Sequence, residues 1–230
     1  GGAWLRHLAR ACVGIDISAR VGRDLRGESR AENFIFVSNH RSSLDAVTIP
    51  VAICLLGQES VRWFVKLGIM RYPLIGGMMV DNGYAIVARR KDLPKLGDAK
   101  RRRFNRIVVT RFVRHVREEN VSVGIFIEGH RFVGPKAGAR RRNVGELVGK
   151  GTFCELCEKL PDHGIAVVTV LWPKLPGKTI LELADLCDHP IDITVDLYPH
   201  PADPGTFLEE AFDRMDADLE AALTRSPHSG

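Results

Sequence analysis

A chain of 230 residues that is 45% hydrophobic and 27% charged has the balance of an ordinary globular protein, which excludes a fibrous repeat or a wholly disordered chain. Its length suits one substantial core. A formal net charge of +5 points to anionic partners: a phosphate-bearing substrate, an acidic lipid surface or nucleic acid. Five cysteines, Cys12, Cys54, Cys154, Cys157 and Cys187, form an odd set in apolar contexts and read as buried thiols of a reducing compartment. Cys154-x-x-Cys157 has no second pair, so core packing is favoured over a metal site. No apolar run reaches the ~18 residues of a membrane-crossing helix. The chain opens Gly1-Gly2-Ala3 without methionine and reads as trimmed or partial, with room for an anchor upstream.

In chain order, Trp4, Leu5, Leu8 and Cys12 fall at helical spacing among Arg6, His7 and Arg10, which predicts a basic amphipathic helix at a membrane surface over 1–12. Val13, Ile15, Ile17, Ala19 and Val21 alternate as in a strand. Further strands are expected at 34–38, 61–66, 84–88, 122–127, 165–171, 179–186 and 191–197. Helices are expected at 43–56, 98–119, 145–160 and 205–223. Alternating strands and helices predict an α/β fold, a mixed central sheet flanked by helices, in a single domain over 1–224 with a disordered tail at 225–230. Cations cluster at 89–91, 100–103 and 140–142, and most of them read as solvated faces.

The stretch Ser38-Asn39-His40-Arg41-Ser42-Ser43-Leu44-Asp45 joins a buried strand to a helix. Imidazole is the side chain best suited to take a proton near neutral pH. A carboxylate on one ring nitrogen fixes the tautomer and leaves the other nitrogen as the base. Positions five apart do not face each other on a helix, so the pair works only if His40 lies in the loop and folds back over Asp45. A structural rival is a capping box formed by Ser42-x-x-Asp45. A serine hydrolase built on Ser42 or Ser43 is a weaker rival, since the chain has no Gly-x-Ser-x-Gly elbow. A non-catalytic basic module binding anionic lipid or nucleic acid is the third, but the cations carry little aromatic interleaving and no known nucleic-acid motif.

Four segments in order resemble the PlsC-type glycerolipid acyltransferases, the lysophosphatidate acyltransferase family. The first is His40 and Asp45 with four residues between. The second is Gly83-Tyr84-Ala85-Ile86-Val87-Ala88-Arg89, approached through Lys66 and Tyr72-Pro73-Leu74-Ile75-Gly76. The third is Phe126-Ile127-Glu128-Gly129-His130-Arg131, followed by a basic stretch and Lys150-Gly151. The fourth is Val167-Val168-Thr169-Val170-Leu171-Trp172-Pro173. His130 stands where the family has threonine, and Trp172 is atypical of the fourth block; both are expected to bear on acceptor recognition more than on the chemical step.

The resemblance implies a glycerol-3-phosphate acyltransferase-like domain that moves an acyl group from acyl-CoA or acyl carrier protein to a lysophospholipid hydroxyl. It implies His40 as base and Asp45 as its orienting partner. Arg89, Glu128, Gly129, His130 and Arg131 are expected to form the acceptor phosphate site, and Lys66 a phosphate or oxyanion contact. Arginine's planar fork suits phosphate oxygens. Glu128 is expected to orient an arginine or accept from the acceptor's polyol, against a strand-end surface salt bridge as the plain alternative. Backbone N–H groups near the helix start, or Lys66, are expected to meet the oxyanion. No metal, no cofactor and no nucleic acid is expected. The implied location is peripheral, on an anionic membrane at its cytoplasmic face.

Overall fold

The computed structural model describes residues 17–27, 31–42, 44–58, 60–90, 92–95, 97–136, 138–172 and 191–225. Its strands are β1 (Ile17–Asp24), β2 (Phe34–Ser38), β3 (Val61–Lys66), β4 (Ala85–Val87), β5 (Ser122–Phe126), β6 (Gly164–Leu171) and β7 (Ile191–Tyr198). They form a seven-stranded sheet in the order β1-β7-β6-β2-β5-β3-β4. Every neighbouring pair is parallel except β6 with β7. The helices are α1 (Asp45–Leu55), α2 (Pro73–Asp81), α3 (Asp98–Glu119), α4 (Lys150–Lys159) and α5 (Pro204–Arg225), with a 3₁₀ turn at Leu67–Arg71 before α2.

The sheet divides two apolar layers. Phe34 and Phe36 of β2 join Ile49 and Ile53 of α1, while Ile35 and Val37 join a layer built from α3, α4 and α5. Covered on both faces, the β2 run Phe-Ile-Phe-Val-Ser is buried throughout, as a central parallel strand requires. Helix α3 buries Val109, Phe112, Val113 and Val116 and turns its arginines outward. It stops at Asn120, which adopts the left-handed conformation with φ 51°.

β2, β3 and α3 run over the residues expected of them. β1 extends three residues past Val21. The helix expected from 145 begins only at Lys150. The preceding segment runs as extended and turn backbone because it is pressed on the end of β5. A Cβ at Gly145 would lie 2.9 Å from Glu128 Oε2, and one at Gly149 would lie 3.0 Å from the Ile127 carbonyl. The 3₁₀ turn and α2 were not expected. The 1–12 helix, the 179–186 strand and the tail beyond 225 lie outside the described residues.

In the run Arg140-Arg141-Arg142 the middle arginine departs from a solvated face, while Arg140 and Arg142 are exposed. Arg141, largely buried, pairs with Asp213 and Glu209 of α5, and Arg140 reaches the same two acids. The Arg142 and Asn143 N–H groups donate to Asp216 (3.1 and 2.5 Å), and Asn143 Nδ2 donates to Glu220 (2.8 Å). Arg140 and Arg141 thus pair with one acidic face of α5, Arg141 from a buried position. Cys157 is buried and free, and burial pushes its thiol up to about 12, which makes it a packing residue rather than a reactive one. No helix among the described residues is long and apolar enough to cross a membrane.

Candidate active site

Strands β6, β2, β5, β3 and β4 are mutually parallel, so their carboxyl ends share one edge of the sheet. That edge carries Asn39 and His40 after β2, Glu128 after β5, Lys66 at the end of β3, Arg89 after β4 and Trp172 after β6. The crevice at such an edge is the usual binding place of α/β sheets.

The loop after β2 is fixed at successive residues. The β2–β6 ladder reaches the pair Ser38↔Val168. The Asn39 amide continues it, donating to the Val170 carbonyl at 3.0 Å and accepting the Val170 N–H at 2.8 Å. The His40 N–H donates to Glu128 Oε1 at 3.3 Å, and the His40 carbonyl accepts the Phe132 N–H at 2.6 Å. The chain then turns, and Asp45 opens α1 beneath the imidazole.

Asp45 is fully buried and takes hydrogen bonds on both oxygens. Oδ2 accepts the N–H groups of Arg41 (2.6 Å) and Ser42 (2.7 Å) and faces His40 Nδ1 at 3.0 Å. Oδ1 accepts the Trp172 indole N–H at 2.7 Å. A carboxylate so surrounded by donors can only accept, so the proton sits on His40 Nδ1 and the lone pair on Nε2. The imidazole packs on Phe126, ring centroids 4.4 Å apart at 32°, and Phe126 stacks on Trp63 at 5.3 Å. Trp63 has room because Gly124 lies beneath it: a Cβ there would fall 2.5 Å from the indole. His40 thus lies in the loop and folds back over Asp45, the geometry its role as a base requires.

The capping-box alternative and this pairing use the same oxygen. Asp45 Oδ2 reaches back to the Ser42 N–H as a capping carboxylate does, while also holding His40. Ser42 is buried with its Oγ accepting the Leu44 N–H at 3.2 Å, a poor setting for a nucleophile. Ser43 lies outside the described residues.

Glu128 departs from expectation. It is neither a surface salt bridge nor exposed to a polyol: its carboxyl is wholly buried under the His40 loop, and Oε2 has no hydrogen-bond partner among the described residues. Burial raises its pKa to about 8, against the backbone N–H groups of His40 and Gly145 and the charge of Arg41, which favour ionisation. Arg41 is also buried, donating to the Asn143 carbonyl at 3.0 Å with its guanidinium 5.5 Å from the Phe132 ring centroid.

The expected phosphate-binding residues lie on more open ground. Arg89 is held by Asp92, through Nε at 3.1 Å and a second nitrogen at 3.3 Å. Asp92 also approaches the 3₁₀ turn, where a Cβ at Gly68 would sit 3.4 Å from its Oδ1. Gly129 adopts φ 67°, a conformation that favours glycine, and so lets the chain turn directly after Glu128. His130 is exposed and acts on Glu146, whose pKa is lowered mainly by Lys136. Arg131 is half-buried and Lys66 exposed. β4 and β5, which deliver Arg89 and Arg131, end at the same edge with β3 between them.

Trp172 was expected to bear on acceptor recognition; it is 1% exposed and bonded to Asp45 instead. Asn39 and Arg41, neighbours of His40, were not singled out, although their place in the same loop was a signal. Among the described residues no group of three or more His, Cys, Asp or Glu is placed to hold a metal ion. A cavity of about 490 Å³ between β1, β7, β6 and α5 is lined by Arg20, Arg23, Asp192, Thr194 and Asp218 and contains none of the His40 cluster.

A histidine paired with a buried carboxylate thus stands at the carboxyl edge of a parallel sheet, with arginines on adjoining loops. The acyltransferase family model matches residues 22–171, 150 of the 230 positions, and the chain belongs to that family, the PlsC-type acyltransferases. It is an O-acyltransferase. The match runs from β1 to the last residue of β6 and contains every expected site residue. No curated protein matches the chain.

Proposed function

We propose that this enzyme transfers a fatty acyl group from acyl-CoA or acyl carrier protein to the free hydroxyl of a lysophospholipid, most simply 1-acyl-glycerol 3-phosphate, giving phosphatidate. The observation that carries the reading is the His40–Asp45 pair, with Nδ1 held by the carboxylate and Nε2 left as the base. His40 Nε2 takes the hydroxyl proton as the oxygen attacks the thioester carbonyl. The tetrahedral intermediate then expels the thiolate, which receives that proton from the imidazolium. The N–H groups of Arg41, Ser42, Leu44 and Asp45 are engaged within the loop. Lys66, at the end of β3 on the same sheet edge, meets the oxyanion in this reading. Arg131, Arg89, Gly129 and His130 hold the acceptor phosphate and bring its hydroxyl to His40. Glu128 serves this site from below, through the His40 backbone. No metal or other cofactor takes part. Incubation with a panel of lysophospholipids and both thioester donors, with products identified by mass spectrometry, tests the reading. A phosphatidate product supports it, and acylation confined to acceptors without phosphate removes the arginine roles.

The enzyme works at an anionic membrane surface. Lys100, Arg103, Phe104, Ile107, Arg111 and Arg114 recur at helical spacing on the exposed side of α3, with Phe104 38% and Ile107 46% exposed. Each cation near such a surface contributes about 1 kcal/mol. Sedimentation with anionic vesicles that is lost as salt rises is the expected result. Equal sedimentation with neutral vesicles, or none with either, argues against it.

A further inference from the structure

Asp45 is approached from two sides of the sheet edge. His40, Arg41 and Ser42, from its own loop, converge on Oδ2, and Trp172, 127 residues away at the end of β6, holds Oδ1. Trp172 is buried in the same apolar layer as Ile49 and Ile53 of α1, so its indole N–H is directed at the carboxylate by packing. Trp172 lies one residue past the segment matched by the family model.

Two physical effects follow. Rotating the Asp45 carboxylate away from His40 Nδ1 breaks the indole bond and strands Oδ1 in a dry interior, so the bond locks the plane that orients the imidazole. A donor on Oδ1 also draws on the carboxylate's charge, which the imidazolium would otherwise share.

We propose that Trp172 is a positioning residue of acyl transfer: its indole N–H locks the Asp45 carboxylate and thereby sets the orientation and basicity of His40. This rests on His40 being the base. The ionisable groups acting on the pair include Arg41 of the same loop, Glu128 after β5 and, through Arg41, Asp216 of α5. Trp172→Phe leaves all of them in place.

The test compares wild type, Trp172→Phe and His40→Ala. In Trp172→Phe, kcat is expected to fall roughly tenfold to hundredfold, the equivalent of one charge-assisted hydrogen bond. KM for both substrates stays within about twofold, because the indole touches neither. The acid limb of kcat/KM moves to higher pH by about half a unit or more. A residue that only fills space changes Tm and leaves that limb in place. Turnover per folded molecule within twofold of wild type, with the acid limb unmoved, overturns the proposal. If Trp172→Phe does not fold, indole ¹H–¹⁵N spectra of the wild-type protein decide. The Trp172 resonance is expected to titrate with the pair and to stop doing so in His40→Ala; a pH-independent resonance overturns the proposal without any substrate. Should His40→Ala retain turnover, the base assignment fails, whereas an inactive His40→Ala beside an unaltered Trp172→Phe defeats only the role of Trp172.

Discussion

The loop after β2 and the loops after β4 and β5 leave the same sheet edge, and they are built in opposite ways. Around His40 the polar groups are fully buried: Asn39 is paired from β6, Asp45 from the loop itself and from Trp172, and Glu128 takes the His40 N–H on Oε1 while its Oε2 has no partner among the described residues. Around Arg89 and His130 the partners are local, though the Asp92 carboxylate on Arg89 is itself only 8% exposed. Arg89 is gripped by a carboxylate three residues on, and the neighbouring Lys136–Glu146 pair is 71% exposed on both sides. A proton transfer tolerates little error in distance, so its groups are set by the core. In the proposed reaction phosphate capture can exchange one counter-ion for another, so its arginines can pair with a nearby carboxylate until the acceptor arrives.

The widest gap between the two regions is expected in turnover. His40→Ala should abolish acyl transfer, and Asp45→Asn should lower kcat by about 10³–10⁴-fold with KM little changed, because the amide cannot hold the same tautomer. Steady-state kinetics on variants of matched Tm checks this, and the mechanism is falsified if His40→Ala turns over near the wild-type rate. On the open side, Arg131→Ala and Arg89→Ala should raise KM for a phosphate-bearing acceptor by about tenfold to hundredfold while the donor KM barely moves. Arg89 should show the smaller loss, since Asp92 already takes up part of its hydrogen-bonding capacity. Equal losses toward donor and acceptor would place these arginines elsewhere in the reaction.

A further effect is one of stability rather than turnover, and it belongs to the closed region. Below pH 4.5 Glu128 is protonated whether the chain is folded or not; from there to about 8 the unfolded chain ionises it while the folded chain keeps the proton. Stability therefore falls as pH rises through this window and levels off above it, by at most about 1.4 kcal/mol per unit. Glu128→Gln still accepts the His40 N–H but has no proton to lose. Its Tm relative to wild type should climb between pH 5 and 8 in thermal melts, and a constant difference would mean that the folded protein carries Glu128 ionised.

How legible all this was from the sequence depended on whether a signal is local. β2, β3 and α3 declare themselves in unbroken apolar runs or a clear 3.6-residue period, and they lie where those patterns put them. α2 did not, because Leu74-Ile75-Gly76-Gly77-Met78-Met79-Val80 has no polar face and two glycines; Pro73 at its first turn was the signal available. His40 and Asp45 were legible because a short loop brings them together. Trp172 was not, because its partner is 127 residues away and only the sheet order joins them. Glu128 looked like an exposed strand end, and its burial comes from the 145–149 segment laid over it by two glycines.

The insertion of β6 beside β2 has a consequence for how the molecule is made. β2 is flanked by β5 and β6, and its first β6 partner, Gly164, lies 130 residues after Phe34. At about 5–20 residues per second on the ribosome, roughly 6–26 s separate the synthesis of the two. Throughout that interval Phe34-Ile35-Phe36-Val37 has no second neighbour, Asn39 has nothing to pair with, and Asp45 lacks its indole. The nascent chain therefore carries a sticky strand and an unfinished His40–Asp45 cluster until its last third emerges. Both are completed in one event, so the onset of acyl transfer in a translation mixture should report the docking of β6.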